Sequence, residues 1–116
     1  PAGHLEANET LTEAAIRDTS EETGWRVEPT ALLGVSHFVT PTQITYIRFS
    51  FIAKPLEQIP HAVLDSDIIA PLWLDYEEIV ARKAELRSPL VLSDIERYRQ
   101  GINLPLTTIH QYPDRL

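Results

Sequence analysis

Residues 3–25, GHLEANETLTEAAIRDTSEETGW, decide the fold, because they set acidic residues on one helical face at a spacing that a bound cation explains. Thr10 and Glu13 stand in the T-x-x-E spacing of a capping box, so a helix is expected to start at Thr10. Gly24 supplies the left-handed stop. At about 100° per residue, Leu11, Ala14 and Ala15 share one stripe, the side that faces a core. Asp18, Glu21 and Glu22 continue that stripe. Carboxylates gathered on an inward face repel one another and lose hydration, a cost of several kcal/mol per ion. A divalent cation removes both penalties.

The spacing also matches a pattern. From Gly3, five residues lead to Glu9 and seven more to the run Arg17-Asp18-Thr19-Ser20-Glu21-Glu22-Thr23-Gly24-Trp25. This resembles the Nudix box, G-x5-E-x7-R-E-U-x-E-E-x-G-U, where U is a bulky apolar residue. Gly3, Glu9, Arg17, Glu21, Glu22, Gly24 and Trp25 meet it, whereas Asp18 replaces a glutamate and Thr19 an apolar residue. The opening PAGHLEANETL, the segment TYIRFSF, the DSDI run with Trp73 after it, and the RSPLV and YRQG tail are similar to small bacterial members of that family. Those members remove phosphate from nucleoside di- and triphosphates and from a thiamine-precursor pyrophosphate. The resemblance implies an α/β Nudix fold, a mixed sheet sandwiched between helices, as a single domain over residues 1–116 with its box at 3–25. Family members carry strands before the PAGH run, so the domain is expected to be shortened at its N-terminus.

Composition sets outer bounds. With 10 Lys+Arg against 17 Asp+Glu the net charge is −7, which argues against a nucleic-acid backbone as partner. An acidic protein meets a small-molecule phosphate substrate through a metal ion rather than through a basic face. The chain has no cysteine, so disulfides, zinc thiolates and thiol nucleophiles are excluded. No apolar run is long enough to cross a membrane and no signal-like start is visible, so a cytoplasmic protein is expected. Nothing in the sequence determines the oligomeric state.

Each acid has a functional and a plain reading. By resemblance, the Gly3 carbonyl helps hold the metal and Glu9 holds Arg17; alternatively Gly3 only relieves a turn. His4 reads as polar surface, because a hard cation prefers oxygen. Arg17 either orients the carboxylates with its guanidinium fork or forms a solvated pair with Glu13 or Glu21. Arg48 lies on a central-looking strand, where it contacts a substrate phosphate or an acidic side chain. Asp65 and Asp67 are either a second metal ligand or base, or solvated loop acids.

Elsewhere the pattern predicts a strand over 31–39 ending at Thr40-Pro41 and a strand over 43–53 with Thr45, Ile47, Phe49, Phe51 and Ala53 on its core face. A loop follows from Pro55 to Ser66, then a short strand over 68–74. Helices are predicted over 77–86 behind an Asp75 cap, and over 90–100 up to Gly101. The segment from Ile102 onward has no clear period.

The chemistry expected of such a box is hydrolysis of a phosphoric anhydride. Mg²⁺, with Mn²⁺ as substitute, neutralises phosphate charge and lowers the pKa of water. Glu21 and Glu22 are the principal ligands, Asp18 a ligand or the base, and Arg17 the orienting group. The alternative is a Nudix-fold protein that binds a nucleotide without cleaving it, which the shorter Asp18 leaves open.

Overall fold

A computed structural model of the protein describes residues 1–114; Arg115 and Leu116, the end of the segment without a period, lie outside the described residues. Helix α1 spans Leu11–Thr23, strands β1 and β2 span Trp25–Val39 and Thr45–Gln58, helix α2 spans Tyr76–Ala81 and helix α3 spans Pro89–Arg99. Short 3-10 turns occupy Lys83–Glu85 and Leu106–Thr108.

The helix boundaries follow local chemistry. Thr10 caps α1 through its hydroxyl, which accepts from Glu13 N, while the Glu13 carboxylate accepts from Thr10 N at 2.9 Å. Gly24 ends it at φ 73°, donating its N–H to Ser20 O. Asp75 caps α2 with the same reciprocal geometry to Glu78. Ser88 caps α3 and Pro89 begins it, where a missing N–H costs nothing.

β1 and β2 form an antiparallel pair joined by the turn at residues 40–44, so the described sheet has two antiparallel strands where a mixed sheet was expected. A connection this short permits only antiparallel pairing. β1 begins six residues earlier than the predicted start at 31, directly after Gly24. The register shifts at Arg26/Val27, Pro29/Ala31 and Leu32/Gly34. The first of these places the extra residue, Leu56, on β2, and the other two place Thr30 and Leu33 on β1, where an extra residue disturbs the alternation of inward and outward side chains. Up to Pro29 the half-buried positions are Trp25, Val27 and Pro29, and from Gly34 onward they are Gly34, Ser36 and Phe38, so the alternation changes phase across the two shifts in the middle of the strand. Between them Ala31, Leu32 and Leu33 are consecutively buried and form the core with Ala14 of α1. Burying one such leucine is worth roughly 1.5–3 kcal/mol. On its other side Leu32 exchanges both backbone hydrogen bonds with Leu104, at 2.8 and 2.9 Å.

Three expectations are corrected. β2 runs on through Pro55 to Gln58 instead of yielding to a loop, because Pro55 sits opposite Val27 at a bulge, where no ladder donor is required. Residues 68–74 form no strand; that stretch has no pairing partner among the described residues, and Trp73 meets Trp25 edge-on at 5.4 Å instead. The helix after Asp75 stops at Ala81, and the following turn tightens to 3-10 geometry before Ser88-Pro89. The core face assigned to β2 is also only half right. Phe49 and Phe51 are half-buried but Ile47 is 65% exposed. The opposite face is covered as well, since Asp94 of α3 reaches Ser50 and Arg48. Among the described residues no helix is long and apolar enough to cross a membrane.

Candidate active site

Among the described residues Asp18 is the buried charged one, 8% exposed. Its burial follows from the helical stripe, since Ala14, one turn earlier, is buried against the same core. Gly3 lies directly on it: a Cβ built at Gly3 would fall inside the Asp18 carboxylate. The neighbouring Ala2 N–H donates to Glu22 Oε2 at 3.0 Å. The segment before the helix and the helix are thus clasped together by two of the box acids.

Arg17 is the hub of the other side. Its Nε donates to Glu9 Oε2 at 2.7 Å and its Nη2 to Glu9 Oε1 at 3.0 Å, a bidentate fork. The same Nη2 donates to His4 O at 2.9 Å. Nη1 lies 3.0 Å from Asp18 Oδ1 and 3.1 Å from Glu21 Oε2. Both readings of Arg17 coexist, because it binds Glu9 and also forms the i, i+4 pair with Glu21. Glu13 is engaged by its cap instead. The Glu9 hydrogen bonds hold the Arg17 guanidinium firmly protonated, and reciprocally hold the Glu9 carboxyl below its ordinary pKa. Burial pushes the Glu22 carboxyl up, opposed by the Pro1 amine, the Ala2 N–H and the positive charge of Arg87.

Glu21 and Asp18 lean toward Arg17 while Glu22 leans toward Ala2, and among the described residues no three His, Cys, Asp or Glu side chains are gathered as a cation cage. The donor set nevertheless fits a hard cation: three carboxylates and an adjacent backbone, all oxygen. Gly3 lets that backbone approach closer than any side chain would permit.

Thr19, where the family pattern has a bulky residue, turns its hydroxyl inward to Ala15 O at 2.7 Å. Gly24 closes the helix, and its carbonyl accepts from Ile59 N at 2.8 Å. The following loop returns over the helix end, and Asp65 N donates to Glu21 O at 3.0 Å. Asp65 is therefore brought beside the box by its backbone, with its side chain and that of Asp67 exposed. Arg48 meets Asp94 at 3.2 Å, the acidic partner that the sequence left as one of two choices.

An open cleft of about 940 Å³ joins these parts. Gly3, Asp18 and Thr19 line one part of it and Arg48, Arg87 and Asp94 another, with apolar walls from β1 and β2. Tyr46 stacks on Phe38 at 5.5 Å and tilts against His4 at 5.8 Å, so His4 belongs to the cleft wall rather than to featureless surface. Sequence reasoning did not single out Asp94 or Arg87. Asp94 carried no local signal, whereas Arg87 was marked by standing immediately before a capped helix.

The NUDIX domain family model matches residues 1–94. The chain is 43% identical over 113 residues to Phosphatase NudJ of Escherichia coli (strain K12), covering 97% of this chain and 72% of that protein. The same figures hold for Phosphatase NudJ of Shigella boydii serotype 4 (strain Sb227). Among solved structures, a NUDIX hydrolase from Nitrosomonas europaea superposes with a TM-score of 0.94 at 36% identity, covering 99% of this chain and 78% of that one.

Proposed function

This chain belongs to the Nudix family and is a phosphohydrolase of it, and from that premise we propose that it hydrolyses phosphoric anhydride bonds in nucleoside di- or triphosphates or in a thiamine-precursor pyrophosphate, releasing phosphate with Mg²⁺, or Mn²⁺, as cofactor. The observation that carries this is the close approach of the Ala2-Gly3 backbone to two box acids, Ala2 N–H to Glu22 and Gly3 to Asp18, with Gly3 and Asp18 on the wall of an open cleft. Residues 1–116 act as one domain.

Glu21, Glu22, Asp18 and the Gly3 carbonyl would hold the cation, which when bound supplies charge neutralisation at the phosphate and a lower pKa for water. Arg17 holds Asp18 and Glu21 in one orientation, and Glu9 holds Arg17, so the carboxylates are positioned before substrate arrives. Asp18 is shielded from solvent and fixed by Arg17, which suits a site ligand better than a group that must swing to take a proton. The proton from the attacking water then goes to another carboxylate, for which Asp65 and Asp67 are the candidates beside the box. A small-molecule substrate rather than nucleic acid is supported by the net charge of −7.

Phosphate release from a nucleoside triphosphate, with and without Mg²⁺, tests the reading. Glu22→Gln keeps the volume and removes the charge, and is expected to abolish Mg²⁺-dependent release while leaving the fold intact. Equal activity of variant and parent at saturating Mg²⁺ would sink the assignment. Nucleotide binding by the parent without turnover would identify a sensor instead.

A further inference from the structure

Arg48 and Arg87 both line the cleft that contains Gly3 and Asp18, but they differ in how their charge is met. Arg48 is neutralised by Asp94 at 3.2 Å. Arg17, behind the box, is saturated by Glu9, Asp18 and Glu21. Arg87 is solvent-exposed, and among the described residues no carboxylate lies within ion-pair distance of it.

The backbone holds Arg87 in place. Leu86 N donates to Lys83 O at 3.2 Å on one side, and Leu90 N donates to Ser88 Oγ at 3.2 Å on the other. Leu86 and Ser88 are both extended, and Pro89 fixes the next φ.

We infer that Arg87 is a substrate-binding residue whose guanidinium receives the nonbridging oxygens of a diphosphate or triphosphate chain in the cleft shared with Gly3 and Asp18. A polyphosphate that reaches the Gly3–Asp18 side of the cleft is repelled by Asp18 and by its helix neighbours Glu21 and Glu22 wherever no positive charge compensates it. Arg87 supplies that charge at the cleft wall, and its planar fork matches two phosphate oxygens at once. The inference rests on the phosphohydrolase reading and assigns the side of the site that handles substrate charge.

Steady-state kinetics with a nucleoside triphosphate, together with calorimetric binding of inorganic pyrophosphate in Mg²⁺, test it on the parent, Arg87→Gln and Arg87→Lys. Loss of a charge-assisted contact made equally in ground and transition states raises KM with kcat little changed. Arg87→Gln is expected to raise KM and the pyrophosphate Kd by about 10- to 100-fold, with partial recovery in Arg87→Lys and an unchanged Tm. Parent-like KM and Kd in Arg87→Gln overturn the inference while leaving the hydrolase intact. If Arg87→Gln does not fold, Arg87→Lys is decisive: raised KM and Kd at parental Tm support the fork, and parental values overturn it. A parent that binds pyrophosphate but releases no phosphate overturns the hydrolase reading and leaves Arg87 to be judged by Kd. A parent that does neither overturns both.

Discussion

The backbone of Gly3 rests on the carboxylate of Asp18, with no room between them for a single methyl group. A residue in the segment before the box helix and a residue two turns into that helix therefore fix each other. Asp18 cannot retreat freely, because Arg17 holds its Oδ1 at 3.0 Å.

Gly3→Ala should accordingly damage chemistry more than folding. The added methyl displaces a side-chain carboxylate rather than backbone, and a displacement near 1 Å at a reacting site can cost about 100-fold in rate. We expect phosphate release to fall on that scale, with the Mg²⁺-induced rise in Tm lost. Parental activity in Gly3→Ala would show that the contact has no role in the site.

Asp18→Glu tests whether the shorter acid is a defect or an adaptation. The family glutamate is longer by one methylene, about 1.5 Å, but here that methylene must be fitted beneath Gly3 in a buried position. Overpacking of this kind typically costs about 1–3 kcal/mol. We expect a lower Tm and no gain in rate, with a severe loss in Asp65→Asn or Asp67→Asn identifying the base. A rate increase of about tenfold in Asp18→Glu at unchanged metal affinity would make Asp18 the base, since a positioned base acts on at least that scale.

Acid stability should depend on the two acids that hold the start of the box. Glu9 is held below its ordinary pKa by hydrogen bonds from Arg17 and Glu13 by hydrogen bonds from Thr10. The unfolded chain therefore binds more protons than the folded one in this range, so stability rises with pH. The contribution is complete above the unfolded glutamate value of about 4.3 and is lost as pH falls through the lower folded values. Glu22, raised by burial, acts with the opposite sign. Tm measured from about pH 6 down to about pH 3 should fall less steeply in Glu9→Gln, Glu13→Gln than in the parent. Parallel curves would show that neither hydrogen-bonded acid drives acid unfolding.

Gly24→Ala should destabilise the whole box. A side chain at φ 73° is strained, at about 1–2 kcal/mol, and the new Cβ would lie 3.3 Å from Ala62 Cβ. Denaturant titration should show that loss with an unchanged m value. No loss would mean that the Gly24 turn relaxes without cost.

The sequence by itself determined the features whose causes lie within a few residues. The Thr10–Glu13 box, the Gly24 stop, the Asp75 and Ser88 caps and the tight turn before Thr45 are each encoded by side chains that touch their own backbone neighbours. The acidic stripe was legible from helical periodicity, and the Glu9–Arg17 pair from the resemblance. Tertiary structure decided what depends on distant partners. Asp94 meets Arg48 across 46 positions of chain, and the bulges of β1 changed which residues face inward partway along the strand. Residues 68–74 have strand-like composition but among the described residues no neighbour supplies a ladder, so the local preference goes unrealised. The approach of Gly3 to Asp18 was likewise invisible as geometry, because it is set by how the segment before the helix packs on the helix, and packing is a property of the folded chain rather than of either segment.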